Sequence, residues 1–125
     1  MLNLRFPWLW MGIGWMLVAA VCIGSLLPAS GVDFDINDKL VHFASYFILT
    51  VWFSGLFSRF AHYLVIAAIV IALGAGLDVL QSTTATRYFD LFDVLANAAG
   101  ALVGFVLSIV LVGGWCARVE RWIGR

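Results

Sequence analysis

The chain has 125 residues, 64% of them hydrophobic, a formal net charge of zero and a mean hydropathy of +1.06. Ordinary soluble domains are nearer half apolar, so lipid is the expected solvent for most of this surface. A neutral chain lacks the basic footprint of a nucleic-acid binder, and its length suits one domain spanning residues 1–125.

A membrane helix needs about 20 mostly apolar residues. The first candidate, 6–27, carries no charge between Phe6 and Leu27 and is closed by Pro28. It exceeds the roughly 7–15 apolar residues of a signal-peptide core, so it reads as an uncleaved helix. A polar, acidic connector, Ala29 to Lys39, leads to a second span at about 40–57. The next connector, Phe57 to Ala61, is so short that it implies an antiparallel hairpin. The third span is expected at about 60–80 and the fourth at about 94–115.

The expected fold is therefore an all-α integral membrane protein, a four-transmembrane-helix bundle. Arg5, Arg59, Arg118, Arg121 and Arg125 fall on one side of it, and only Lys39 and Arg87 on the other. That asymmetry places both the N-terminus and the C-terminus in the cytoplasm, and Trp8, Trp10, Trp115 and Trp122 flank the outer spans as interfacial anchors. Cys22 and Cys116 form no CxxC pair and fall at different depths, too far apart for a disulfide.

Polar residues collect at the opposite, outer face. Asp33, Asp35, Asp38 and Lys39 lie in the first outer connector, with His42 and Tyr46 in the opening turns of the second helix. Asp78 and Gln81 close the third helix; Arg87, Asp90, Asp93 and Asn97 lead into the fourth. Lys39, His42 and Tyr46 are spaced three and four apart, which puts them on one helix face. Asp93 and Asn97 are four apart, about 6 Å along their helix. Ionisable residues in membrane helices usually face the bundle interior and carry function, so these groups are expected to converge in a shallow outer pocket.

Part of the pattern has a simpler account. "DLFD" has the form of an N-cap, Asp90, followed three residues later by Asp93 against the helix dipole, and "DIND" repeats it before the second helix. Capping does not explain His42, Gln81, Asn97 or Asp78. Asp78 sits at a helix C-terminus, where the dipole disfavours an anion, and needs a partner such as Arg87 or Lys39, or its proton. Small residues suggest close helix packing: Ala96, Gly100 and Gly104 in the fourth helix, and Ala68, Ala72 and Gly76 in the third. Gly12 and Gly24 admit the same reading in the first.

Three blocks in this order, "DKLVHFASYFIL", "GLDVLQ" and "RYFDLFDVLANAAGALVG", resemble the VanZ-like membrane proteins. The matching positions are Asp38, Lys39, His42, Phe43 and Tyr46, then Gln81, then Arg87, Asp93, Asn97 and Gly100. "SLLPASG" after the first span also looks like that family, and the likeness runs from about Ser25 to Phe105. Asp78 departs from it, standing where the family usually has glutamate, and "STTAT" lacks a glycine often found there. The resemblance implies a multi-pass protein of the bacterial cytoplasmic membrane, in a cell-envelope family whose prototype is associated with teicoplanin resistance.

Three functions fit these residues. In the first, the pocket of Asp38, Lys39, His42, Tyr46, Asp78, Gln81, Arg87, Asp93 and Asn97 binds an envelope lipid, a cell-wall precursor or a membrane partner. Lys39 and Arg87 would then engage phosphate or carboxylate groups. In the second, a membrane enzyme acts on a lipid-linked substrate, with His42 as general base or with His42, Asp78 and Asp93 around a metal ion. In the third, Asp78 and His42 serve an oligomeric proton-coupled transporter or assembly subunit. No sequence motif calls for a cofactor or a metal, and the non-enzymatic reading is preferred. Homo-oligomerisation is compatible with all three.

Overall fold

A computed structural model describes residues 1–26, 36–83 and 91–124. Five α-helices follow one another among the described residues: α1 Pro7–Leu26, α2 Ile36–Ser54, α3 Phe60–Gln81, α4 Leu91–Leu107 and α5 Trp115–Ile123. A π-helical turn, Ser108–Val112, continues α4. No strand occurs among the described residues.

The helices run alternately up and down. At one end, the Leu2 N–H donates to the Leu56 carbonyl (2.8 Å) and the Gly114 N–H to that of Ser54 (3.0 Å), gathering the start of α1, the α2–α3 turn and the end of the π-helical turn. At the other end, the Gln81 amide reaches the Ser25 carbonyl (2.5 Å), joining the ends of α1 and α3. The α2–α3 connector is as short as expected, turning at Gly55 and Leu56.

Among the described residues, three segments are long and apolar enough to cross a membrane: Pro7–Ser25, Phe60–Gln81 and Leu91–Val112. α2 is not among them, because its opening turns carry Asn37, Asp38, Lys39 and His42. It lies instead at the centre of the bundle, with its most extensive packing against α4. Its buried stripe, His42, Tyr46, Leu49, Thr50 and Ser54, follows the helical period. Thr50 returns its hydroxyl to the Tyr46 carbonyl (2.9 Å), which satisfies a buried polar group inside its own helix.

Glycine makes the α2–α4 seam. A Cβ on Gly100 would stand 2.1 Å from the Phe43 carbonyl oxygen, and one on Gly104 would stand 3.0 Å from the Thr50 Cβ. At Gly100 the backbones approach too closely for any side chain, and at Gly104 a side chain would press on Thr50. The third-helix stripe is a correction. Ala68, Ala72 and Gly76 are exposed, and open space surrounds Gly76. The close approach in α3 is made by Gly74, which abuts Tyr46 and Asn97. Gly12 and Gly24 likewise face open space, and in α1 it is Gly14 that receives the Phe53 ring.

The expected fourth span also differs. It begins three residues early, at Leu91, and gives way to the π-helical turn and then to a separate helix, α5. The buried Ser108 hydroxyl bonds the Gly104 carbonyl (2.7 Å), while the Ser108 carbonyl accepts from the Gly113 N–H five residues on. That wide turn ends the span. Gly114 then takes a left-handed conformation (φ 72°) that favours glycine, and the chain swings into α5. The Arg118 guanidinium covers the exposed carbonyls of Leu111 and Gly113 (3.2 and 3.1 Å).

α5 docks through Cys116, which packs with Leu4 and Leu56, and through Trp115, whose ring meets Trp10 and Trp52 at centroid distances of 5.3 and 5.0 Å. Both cysteines are free thiols. Burial and the nearby Glu120 charge push the Cys116 thiol up to about 12, so it stays protonated.

Candidate functional site

Five polar side chains from α2, α3 and α4 join end to end at the face opposite the tryptophans. The Lys39 ammonium donates to Asp93 Oδ1 (2.5 Å), and both side chains are about nine-tenths covered. His42 Nε2 lies 3.7 Å from the same carboxylate oxygen. On the other side of its ring, His42 Nδ1 is 2.9 Å from Asn97 Oδ1. Asn97 Nδ2 then donates to Asp78 Oδ2 (3.0 Å). Asn97 and Asp78 are 1% and 2% exposed, so the chain of contacts runs from a partly covered ion pair into the bundle interior.

The local sequence explains each placement. Lys39 and His42 share one face of α2, and Asp93 and Asn97 one face of α4; the glycine seam brings those faces together. Gly74 lets α3 approach so closely that Asn97 rests against its backbone. Asp93 is in the first turn of α4, where the helix dipole favours its charge. Its interaction with the helix dipole and its pairing with Lys39 are therefore compatible.

Hydrogen-bond direction carries chemical information. Asp78 accepts from the Asn97 amide nitrogen, which orients the Asn97 oxygen toward His42. An amide oxygen can only accept, so His42 Nδ1 must carry the proton. Nε2 then faces the Asp93 carboxylate on the other side of the ring. A buried network thus fixes the orientation of one histidine ring.

His42 and Tyr46 also line a cavity of about 320 Å3 between α1 and α2, with Ser25 and Ser45 as further polar walls and Leu17 and Val21 as apolar ones. The cavity is in the usual size range for small-molecule sites. The Tyr46 phenol meets the Ser25 side chain and lies within the field of Asp78. Gln81 ties α3 to α1 beside it through the Ser25 carbonyl.

Of the sequence candidates, Lys39, His42, Tyr46, Asp78, Gln81, Asp93 and Asn97 are brought together. Asp38 lies in the first turn of α2, Arg87 and Asp90 lie outside the described residues, and so do Asp33 and Asp35. Two expectations change. Lys39 is committed to Asp93, so it does not stand ready for an anionic ligand. Asn97 stands between Asp78 and His42, so no group of three metal-ligating side chains forms among the described residues, including the triad of His42, Asp78 and Asp93.

Glu120 was unreadable as a structural residue. Its carboxylate accepts from the backbone N–H groups of Arg5 (2.6 Å) and Phe6 (2.9 Å) and from the Trp10 indole (2.7 Å). It is an N-terminal cap for α1 supplied from the far end of the chain. Desolvation opposes its charge, but those three donors and the Arg5 charge hold it below the usual carboxylate range.

The pattern of the VanZ/LLP1 family matches residues 6–112. This chain belongs to the VanZ/LLP1 family. The match takes in α1 to α4 and the whole polar network, and it ends where the π-helical turn ends. An uncharacterised protein of Schizosaccharomyces pombe is 36% identical over 85 residues, 66% of this chain and 52% of that protein. The chain thus spans about half the length of that relative. A relative in a yeast means that VanZ/LLP1 likeness alone does not tie a chain to a bacterial envelope. No solved structure matches.

Proposed function

We propose that this protein is a four-span protein of the bacterial cytoplasmic membrane, with both termini in the cytoplasm, that binds the headgroup of an envelope lipid or lipid-linked cell-wall precursor at His42. One observation carries the reading: His42 belongs both to the buried network and to the wall of the α1–α2 cavity. A headgroup there would meet a ring held in one orientation, while its hydrocarbon chain lay along Leu17 and Val21 in the apolar part of the same cavity. α2 serves as the fourth span because its packing against α4, α3 and α1 covers Lys39 and His42, while Leu40, Val41 and Ile48 face outward. With Lys39 held by Asp93, Arg87 is the cation proposed to meet a phosphate.

Extraction of the purified protein, followed by mass spectrometry of co-purifying lipids, tests this. A defined lipid should accompany the wild type, fall at least tenfold in His42→Ala, and fall in Arg87→Ala. Equal lipid content in all three proteins would remove the site.

The His42 Nδ1 contact with Asn97 Oδ1 favours a second reading, in which Nε2 acts as general base on a bound lipid. Wild type would then convert the retained lipid to a product of different mass, and His42→Ala would not.

A further inference from the structure

Helix α5 lies beyond residue 112, where the match to the VanZ/LLP1 family ends, so the family likeness assigns it no role. It is tied to the bundle at two points. Gly114, just before its first turn, donates its N–H to the Ser54 carbonyl (3.0 Å), and Glu120, near its last turn, accepts from the N–H groups of Arg5 and Phe6. Both ties fall at the ends of segments long and apolar enough to cross a membrane: one closes at Val112, two residues before Gly114, and another opens at Pro7, next to Phe6. In a bilayer crossed by those segments, α5 runs across the end of the bundle, at the level where hydrocarbon gives way to water.

The apolar side chains of α5 divide into a covered half and a bare half. Trp115 and Trp122 are seven apart, and so are Cys116 and Ile123, so each pair shares a helix face two turns apart. The first member of each pair packs on the protein: Trp115 against Trp10 and Trp52, and the fully buried Cys116 against Leu4 and Leu56. The second members lie on the same faces but find little protein, Trp122 being 77% exposed and Ile123 66%. A stripe that starts on the core and runs past the bundle edge at this level meets lipid. This end of the molecule is also basic. Arg5, Arg59, Arg118 and Arg121 are exposed there, against one carboxylate among the described residues, Glu120, which is already committed to the start of α1. Bare apolar side chains flanked by arginines suit a helix lying in the interface of an anionic bilayer.

We infer that α5 is an interfacial helix that binds the surface of an anionic bilayer, Trp122 and Ile123 entering between the lipids and Arg121 meeting their phosphate groups. Arg121 and Ile123 are two residues apart, on nearly opposite sides of the helix, so one side faces water while the other enters lipid. The long stem of Arg121 reaches back from the water side to a phosphate beside Trp122. Glu120 sets the height at which this happens, because it fixes the last turn of α5 to the start of α1. This surface is at the opposite end of the bundle from His42 and does not depend on what binds there.

The test uses the full-length protein in nanodiscs of phosphatidylglycerol and phosphatidylcholine in equal parts, one of the two lipids carrying a doxyl quencher. A single fluorophore is attached at Ile123→Cys or at Arg121→Cys in a Cys22→Ser background, where the buried Cys116 stays unlabelled. Doxyl lipid should quench the label at position 123 while aqueous iodide hardly reaches it, and the reverse should hold at position 121. Doxyl phosphatidylglycerol should be enriched at position 123 about fivefold over doxyl phosphatidylcholine, the usual weight of one arginine at an anionic surface. Arg121→Gln should remove most of that preference, and Arg121→Lys should keep it. Iodide reaching both positions alike would leave α5 in water and overturn the proposal. A label at position 123 reached by neither quencher would mean that protein, such as a second copy of the chain, covers that face, and would overturn it too. Equal quenching by the two doxyl lipids, or a preference unchanged in Arg121→Gln, would overturn the anionic assignment.

Discussion

The two ends of the bundle satisfy their polar groups in different ways. At the tryptophan end, side chains bond mostly to backbone: Glu120 to the Arg5 and Phe6 N–H groups, Trp115 to the Val51 carbonyl (2.8 Å), Trp52 to the Trp10 carbonyl (3.0 Å) and Tyr63 to the Phe57 carbonyl (2.9 Å). At the opposite end, side chains bond chiefly to one another, from Lys39 through Asp93, His42 and Asn97 to Asp78. Backbone partners are present in any sequence, and such bonds hold helix ends and turns. A side-chain network needs particular residues on three separate helices, and a chain that required only stability could replace it with apolar packing. The first pattern is that of a clasp, and the second is the one on which the proposed site rests.

The largest effect should come from breaking the network in the middle. Asn97→Leu removes both the donor to Asp78 and the acceptor for His42, taking one hydrogen bond from each of two buried polar groups at a cost of about 3 kcal/mol. A lower unfolding midpoint in detergent, together with loss of the lipid that depends on His42, is the expected result. A well-folded variant that kept its lipid would mean that the network is not part of the site.

Cutting the clasp should do something different. Because the folded protein holds Glu120 below the usual carboxylate range, its contribution is present above that range and is lost as pH falls through the lowered value. Acidification, or Glu120→Ala at neutral pH, should loosen α5 and expose Cys116. Maleimide labelling of Cys116 in a Cys22→Ser background at neutral pH should rise severalfold in Glu120→Ala, while the His42-dependent lipid is retained. Loss of that lipid would show that the two ends are coupled.

The smallest effect is expected at Gly76, which has open space around it. Gly76→Ala should leave both ends intact and change stability by at most about 1 kcal/mol, in the stabilising direction that helix propensity favours. A marked loss of stability in a chemical-unfolding curve would point to a partner packed on that exposed face.

Hydropathy alone made α1, α3 and α4 legible, because a run of about 20 apolar residues has few alternatives to a membrane helix. Spacing alone also grouped Lys39 with His42 and Asp93 with Asn97, since helical period decides which residues share a face. The same reasoning misplaced the α3 contact at Gly76 instead of Gly74. A stripe of small residues marks a face that permits close approach, and only the packed neighbours decide which face is used.

Tertiary structure decided the rest. Which residue joins which across helices depends on relative height and rotation, and these follow from the Gly100 and Gly104 seam. That is why the commitment of Lys39 to Asp93, and the position of Asn97 between Asp78 and His42, could not be read from spacing. Glu120 is the extreme case. Its partners Arg5 and Phe6 are 115 and 114 residues away in the chain, and local pattern holds no trace of a bond made at that distance. The sequence by itself determined that polar groups would gather at one end of an apolar bundle. Packing determined the order in which they touch, and therefore the chemistry that His42 presents.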